Sequence, residues 1–220
     1  MKRILILPVL LLTLLVASPA FSADFQKGLT AYQSGDYATA LREWTPLAEQ
    51  GDADAQFTLG YLYKNGEGVP QDYETAVKWY TLAAEQGEAY AQFNLGLMYA
   101  KGTGVPQDYK TAVKWYRLAA AQGNAQSQSN LGVMYENGKG VPQDYKTAVG
   151  WYRLAAEQGK ASAQENLKNI KSRLVSKGID DCLFDEIAKV TGPETKKIVE
   201  KYCRMKLEKK SLDWLLRYAD

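Results

Sequence analysis

Two cysteines, Cys182 and Cys203, are the only thiols in a chain of 220 residues, and there is no histidine. That inventory removes most familiar side-chain chemistry. Without histidine there is no His-based triad, no Cys–His dyad and no His metal site. Two thiolates fall short of the four that an all-cysteine zinc site needs. Ser34, Ser127, Ser129 and Ser162 each lack a lysine three residues on, so no S-x-x-K nucleophile forms there. Carboxylate-only chemistry stays formally open. The expectation is a chain with no catalytic residues, no cofactor and no metal.

The redox state of the two thiols depends on compartment. Lys2 and Arg3 precede an apolar run over Ile4–Val16, and small residues gather at Ala17–Ala23. This is the anatomy of a secretory signal peptide, with a cut expected between Ala20 and Asp24. An uncleaved anchor is the alternative, but the run is shorter than the roughly 20 residues that span a bilayer. Residues 1–23 are therefore assigned as signal, and no integral membrane segment is expected after cleavage. The style of the segment suggests a Gram-negative periplasm, or secretion. In such a compartment a Cys182–Cys203 disulfide is expected over free, redox-sensing thiols. Cleavage also brings the formal charge from +2 to zero, so no global basic field invites nucleic acid or anionic membrane.

The elements that would position any functional side chain follow from an internal repeat. GVPQDY recurs at Gly68, Gly104 and Gly140. Trp79, Trp115 and Trp151 keep the same 36-residue period, as do Leu59, Leu95, Leu131 and Leu167. Each unit holds two amphipathic helical patterns, A and B. In one A segment Ala91, Leu95, Gly96 and Tyr99 recur at helical spacing. In the following B segment Tyr109, Ala112, Val113, Tyr116, Ala119 and Ala120 do so. Gly60, Gly96 and Gly132 each cost about 1 kcal/mol of helix propensity relative to Ala, so their recurrence implies close packing. The ring of Trp115 or Tyr116 would fill the space beside Gly96. Between the helices, glycines stop helix A, Val105 tucks under the corner, Pro106 stiffens it and Asp108 caps helix B. Gln107 has no evident task.

These residues resemble the Sel1-like repeat family. The pattern A-x-x-x-L-G-x-x-Y-x-x-G-x-G-V-P-Q-D-Y-x-x-A-V-x-W-Y-x-x-A-A-x-Q-G is met from Ala55 and from Ala91, and from Ser127 with Ser in place of Ala. The period also separates it from tetratricopeptide repeats, which repeat every 34 residues. The resemblance implies an all-α fold, a right-handed α/α superhelix of helix-turn-helix repeats. It implies an adaptor or scaffold that binds a protein partner, with helix A lining the concave surface. Cysteine-rich relatives are linked to β-lactam binding or hydrolysis, but this chain lacks their regular cysteine pair in each repeat. A cell-wall or polysaccharide binder is a third reading.

The repeat array is expected to fill residues 24–174, with polar capping units at both ends. Trp44 sits one place off the periodic tryptophan. Lys168 stands where Gly60, Gly96 and Gly132 stood, and Lys171 where Tyr63, Tyr99 and Tyr135 stood. Residues 175–220 form a helical extension with three short helices over Asp181–Val190, Pro193–Glu208 and Ser211–Tyr218. Partner choice should lie where the units differ on helix A. The candidates are Phe57, Thr58, Tyr61, Phe93, Asn94, Leu97, Asn130 and Val133. The competing expectation makes the aromatic ones inter-repeat core.

Overall fold

The structure is a computed structural model that describes residues 23–176. The expected signal peptide, apart from Ala23, the Cys182–Cys203 pair and the three C-terminal helices lie outside the described residues. Among those residues the chain runs α1 (Phe25–Gln33), α2 (Tyr37–Glu49), α3 (Ala53–Asn65), α4 (Tyr73–Glu85), α5 (Ala89–Lys101), α6 (Tyr109–Ala121), α7 (Ala125–Asn137), α8 (Tyr145–Glu157) and α9 (Ala161–Ser176). Each helix packs on the next in sequence. The result is a right-handed α/α solenoid without a strand among the described residues.

Helix boundaries follow from local chemistry. Asp72 and Asp108 cap α4 and α6 by accepting backbone N–H groups of the first turn, and Asp144 does the same for α8. At the other end of the corner Gly102 takes the left-handed conformation (φ 69°) that closes α5. Gly104 also has positive φ, at 71°, and a Cβ there would sit 2.5 Å from the carbonyl oxygen of Tyr73 in the preceding unit. No other residue fits so close to a neighbouring backbone. Val105 packs partly buried against the α4–α5 core, as the corner reading required.

The structure supplies the missing task of Gln107. Its Nε2 donates to the Ala100 carbonyl at 2.8 Å, and Gln71 and Gln143 repeat the bond to Lys64 and Glu136. Each glutamine satisfies a carbonyl that the end of helix A leaves without a helical partner.

The Trp-Tyr pair on helix B divides between two seams. Tyr116, not Trp115, fills the space at Gly96: a Cβ there would lie 2.7 Å from the ring. Trp115 turns the other way and packs against the α4–α5 core at the junction with the preceding unit. Tyr80, Tyr116 and Tyr152 are all essentially inaccessible. In the first unit the order is shifted. Trp44 occupies the Tyr position and packs against Gly28, while Glu43 falls on the Trp position. That place holds a fully buried carboxylate paired with Lys27 at 2.7 Å. At the far end, Ala163 and Ile170 of α9 complete the last core, and Lys168 is exposed.

A polar ladder threads the seams. Gln92 donates from Nε2 to the Ala84 carbonyl at 3.1 Å and accepts from Gln122 at 2.9 Å. Gln56 and Gln128 repeat both bonds one unit earlier and one unit later. All three are nearly buried, so each amide must be paired to be tolerated.

The inner face of the A helices as candidate functional site

The first helices of successive units touch one another directly. The rings of Phe57 on α3 and Tyr90 on α5 are 6.2 Å apart, and Lys64 Nζ on α3 donates to Asn94 Oδ1 on α5 at 3.0 Å. Helical spacing places Tyr90, Asn94, Leu97 and Lys101 in one stripe along α5, and Phe57, Thr58, Tyr61, Lys64 and Asn65 in the matching stripe along α3. Asn130, Val133 and Asn137 continue it on α7.

The structure separates the sequence-derived candidates by burial. Phe57 is half-buried, with its ring 5.9 Å from that of Tyr80 and its side chain against the α4–α5 core. Phe93 is half-buried 6.2 Å from Tyr116 and packs on the α6–α7 core. Val133 packs on the core of α8 and α9. These three side chains link a unit to the one that follows. Thr58 is half-buried and returns its hydroxyl to the Asp54 carbonyl at 2.7 Å. Asn94 is 9% exposed, and its amide donates to the Tyr90 carbonyl at 2.8 Å. Asn130 is half-buried beside the Tyr116 hydroxyl. Burial pushes that hydroxyl up to about 12, and the Asn130 bond opposes the shift. Leu97 is half-buried, and Tyr61 reaches solvent at 36%.

Two residues absent from the sequence-derived candidates belong to the same surface. Tyr90 is 58% exposed, the most exposed large apolar side chain among the described residues. Lys64 is half-buried, and burial followed by the nearby Lys101 charge holds it below the ordinary lysine range. Its position varies sharply between units: Lys64, Ala100, Glu136. That variation was the signal available in the sequence. The consequence, a cation reaching across to the next unit, required the superhelix. Glu136 at the equivalent place serves the end of the array instead. It accepts from Tyr152 at 2.8 Å and pairs with Arg173 of α9 at 2.7 Å. Among the described residues there is no metal-binding cluster of histidine, cysteine and carboxylates. No described helix is long and apolar enough to cross a membrane.

Stacked antiparallel helix pairs with one row of A helices drawn together define an α-solenoid repeat protein, a class that works through extended surfaces. The repeats are of one kind. Residues 53–88, 89–124 and 125–160 each match the Sel1 repeat, and through them the chain is a Sel1 repeat protein. Such proteins are generally protein–protein interaction scaffolds. A crystal structure of a Sel1 repeat protein from Oxalobacter formigenes is 42% identical, with a TM-score of 0.63 over 66% of this chain and 59% of that one. A protective antigen from uropathogenic Escherichia coli strains, displaying an SLR fold, is 39% identical with a TM-score of 0.66. The match covers 74% of this chain and 36% of the antigen. The chain thus spans less than two thirds of either relative. No curated protein matches it significantly.

Proposed function

We propose that the protein is a non-catalytic scaffold of the bacterial envelope, exported to the periplasm or beyond it, that binds a partner protein on the inner face of its A helices. The signal-like segment at Lys2–Ala23 supports the location. The observation that carries the binding face is the Tyr61–Tyr90–Leu97 surface. It combines two solvent-reaching aromatic rings with a half-buried leucine on a rigid row of helices. Rigid exposed aromatics supply contact area at low entropic cost and are favoured anchors at interfaces. The B helices also expose apolar side chains, Leu82, Leu118 and Leu154 at one repeat position, but these carry no aromatic ring and stand among exposed Lys78, Lys110 and Lys114.

A photo-crosslinking residue placed at Tyr61 or Tyr90 in living cells tests the reading. It should capture one discrete protein, while the same residue at Lys114 on the outer face captures little. Equal labelling from both faces, or retention on purified peptidoglycan with no protein captured, would overturn it.

A further inference from the structure

The inner face gathers two cations with no anion between them. Lys64 reaches from α3 to the Asn94 amide of α5, and Lys101 ends the stripe on α5 close enough for its charge to bear on Lys64. Among the described residues neither lysine is ion-paired to a carboxylate. Glu67, the acid nearest to Lys64 in sequence, accepts instead from the Tyr32 hydroxyl at 2.8 Å. At the half-buried Lys64, burial and the neighbouring Lys101 charge disfavour the ammonium form, and an incoming anion relieves that cost. The architecture does not require the pair. Ala100 and Glu136 stand where Lys64 stands, and Asn65 and Asn137 stand where Lys101 stands, in units of the same fold.

The surroundings indicate which anion fits. Tyr90 presents its ring to solvent, Tyr61 is 36% exposed, Leu97 lies half-buried in the α5 stripe, and the exposed Asn65 offers an amide. Inorganic phosphate or a polyanion gains nothing from rings and a leucine. A polypeptide gains from all of them: its carboxylates meet the lysines, its apolar side chains the rings, and its backbone the amide.

We propose that the surface around Lys64 and Lys101 docks an acidic, partly apolar segment of the partner protein, with its carboxylates set between the two ammonium groups. This rests on the scaffold reading above and specifies the chemistry of its partner. A carboxylate arriving there forms charge-assisted hydrogen bonds at a partly desolvated place, where they are stronger than in open solvent.

Fluorescence anisotropy with the mature protein tests it. The probes are a labelled hexapeptide of alternating leucine and glutamate and its counterpart of alternating leucine and glutamine. The acidic peptide should bind about tenfold tighter, a gap expected for one or two charge-assisted contacts. The gap should close in Lys64→Met/Lys101→Met and persist in Lys110→Met/Lys114→Met, which removes equal charge from the outer face. Lys101→Gln alone, at an exposed position, serves if the double variant does not fold, and should narrow the gap. Equal binding of the two peptides, an undiminished gap in the inner-face variants, or no binding of either at millimolar concentration would overturn the proposal. So would displacement of the acidic peptide by inorganic phosphate at matching concentration. Crosslinking from Tyr61 that captures the same protein with and without the two lysines would sink this inference while leaving the scaffold reading intact.

Discussion

At the scale of single residues, two helical glycines with opposite surroundings show what the fold demands. Gly96 lies under the Tyr116 ring, and an added Cβ would stand 2.7 Å from Cδ1 and 3.3 Å from the Ala112 carbonyl oxygen. Gly150 on α8 has nothing within 4 Å. Helix propensity alone favours alanine at both by about 1 kcal/mol. Overpacking costs of about 1–3 kcal/mol outweigh that gain only where the space is filled. Gly96→Ala should therefore lower the urea midpoint, while Gly150→Ala should raise it. A rise in both would mean that the tyrosine ring moves aside cheaply and that the glycine is not a packing requirement. The same contrast governs the inner-face aromatics: Phe57 and Phe93 spend much of their surface on the next unit, whereas Tyr61 keeps 36% and Tyr90 58% of theirs exposed.

At the scale of elements, the corners couple helix starts to pH. The Thr75 and Thr111 bonds to Asp72 and Asp108 hold these carboxyls below their ordinary value. For Asp144 burial pushes upward, but the Thr147 and backbone bonds outweigh it. A carboxyl whose folded pKa is depressed contributes stability that is present above its unfolded value of about 3.9. That contribution is lost as pH falls through the lower folded value. Melting followed by circular dichroism should therefore be flat in this respect above about pH 5 and fall below about pH 4. The variant Asp72→Asn/Asp108→Asn/Asp144→Asn keeps capping side chains but not the titration, so its acid-side fall should be shallower. An unchanged acid limb would show that other carboxylates, Glu43 among them, dominate acid unfolding.

At the scale of the whole molecule, stability is distributed along a line. Each helix packs mainly on its chain neighbours, and the cores form a series between successive helices instead of one centre. Among the described residues the end units have neighbours on one side only. Their closures are polar: Glu43 with Lys27 at one end, Glu136 with Tyr152 and Arg173 at the other. Hydrogen exchange should show protection rising from α1 and α9 toward α4–α6. Uniform protection across all helices would mean that the array opens only as a whole. The inner-face lysines lie on α3 and α5, beside and within that middle, so on this prediction the docking surface sits away from the ends that open first.

Much of this molecule was legible in the sequence because its fold is periodic. Repeating Leu, Gly, Trp and Tyr positions determined the helix pairs, their length and the corner between them, since each unit must bury the same stripe against its neighbours. The caps followed from residue type, and the close-packing role of Gly96 from its recurrence as Gly60 and Gly132. Other features depended on which side chain meets which across a seam. Sequence spacing left Trp115 and Tyr116 equivalent, and only packing assigned Tyr116 to the glycine and Trp115 to the junction with the preceding unit. Gln107 and the Gln92 ladder became intelligible once the carbonyls they satisfy were in place. The inner-face cation pair was beyond the sequence for the same reason. Lys64 and Lys101 lie more than one repeat apart in the chain, and superhelical stacking of α3 on α5 is what brings their charges together.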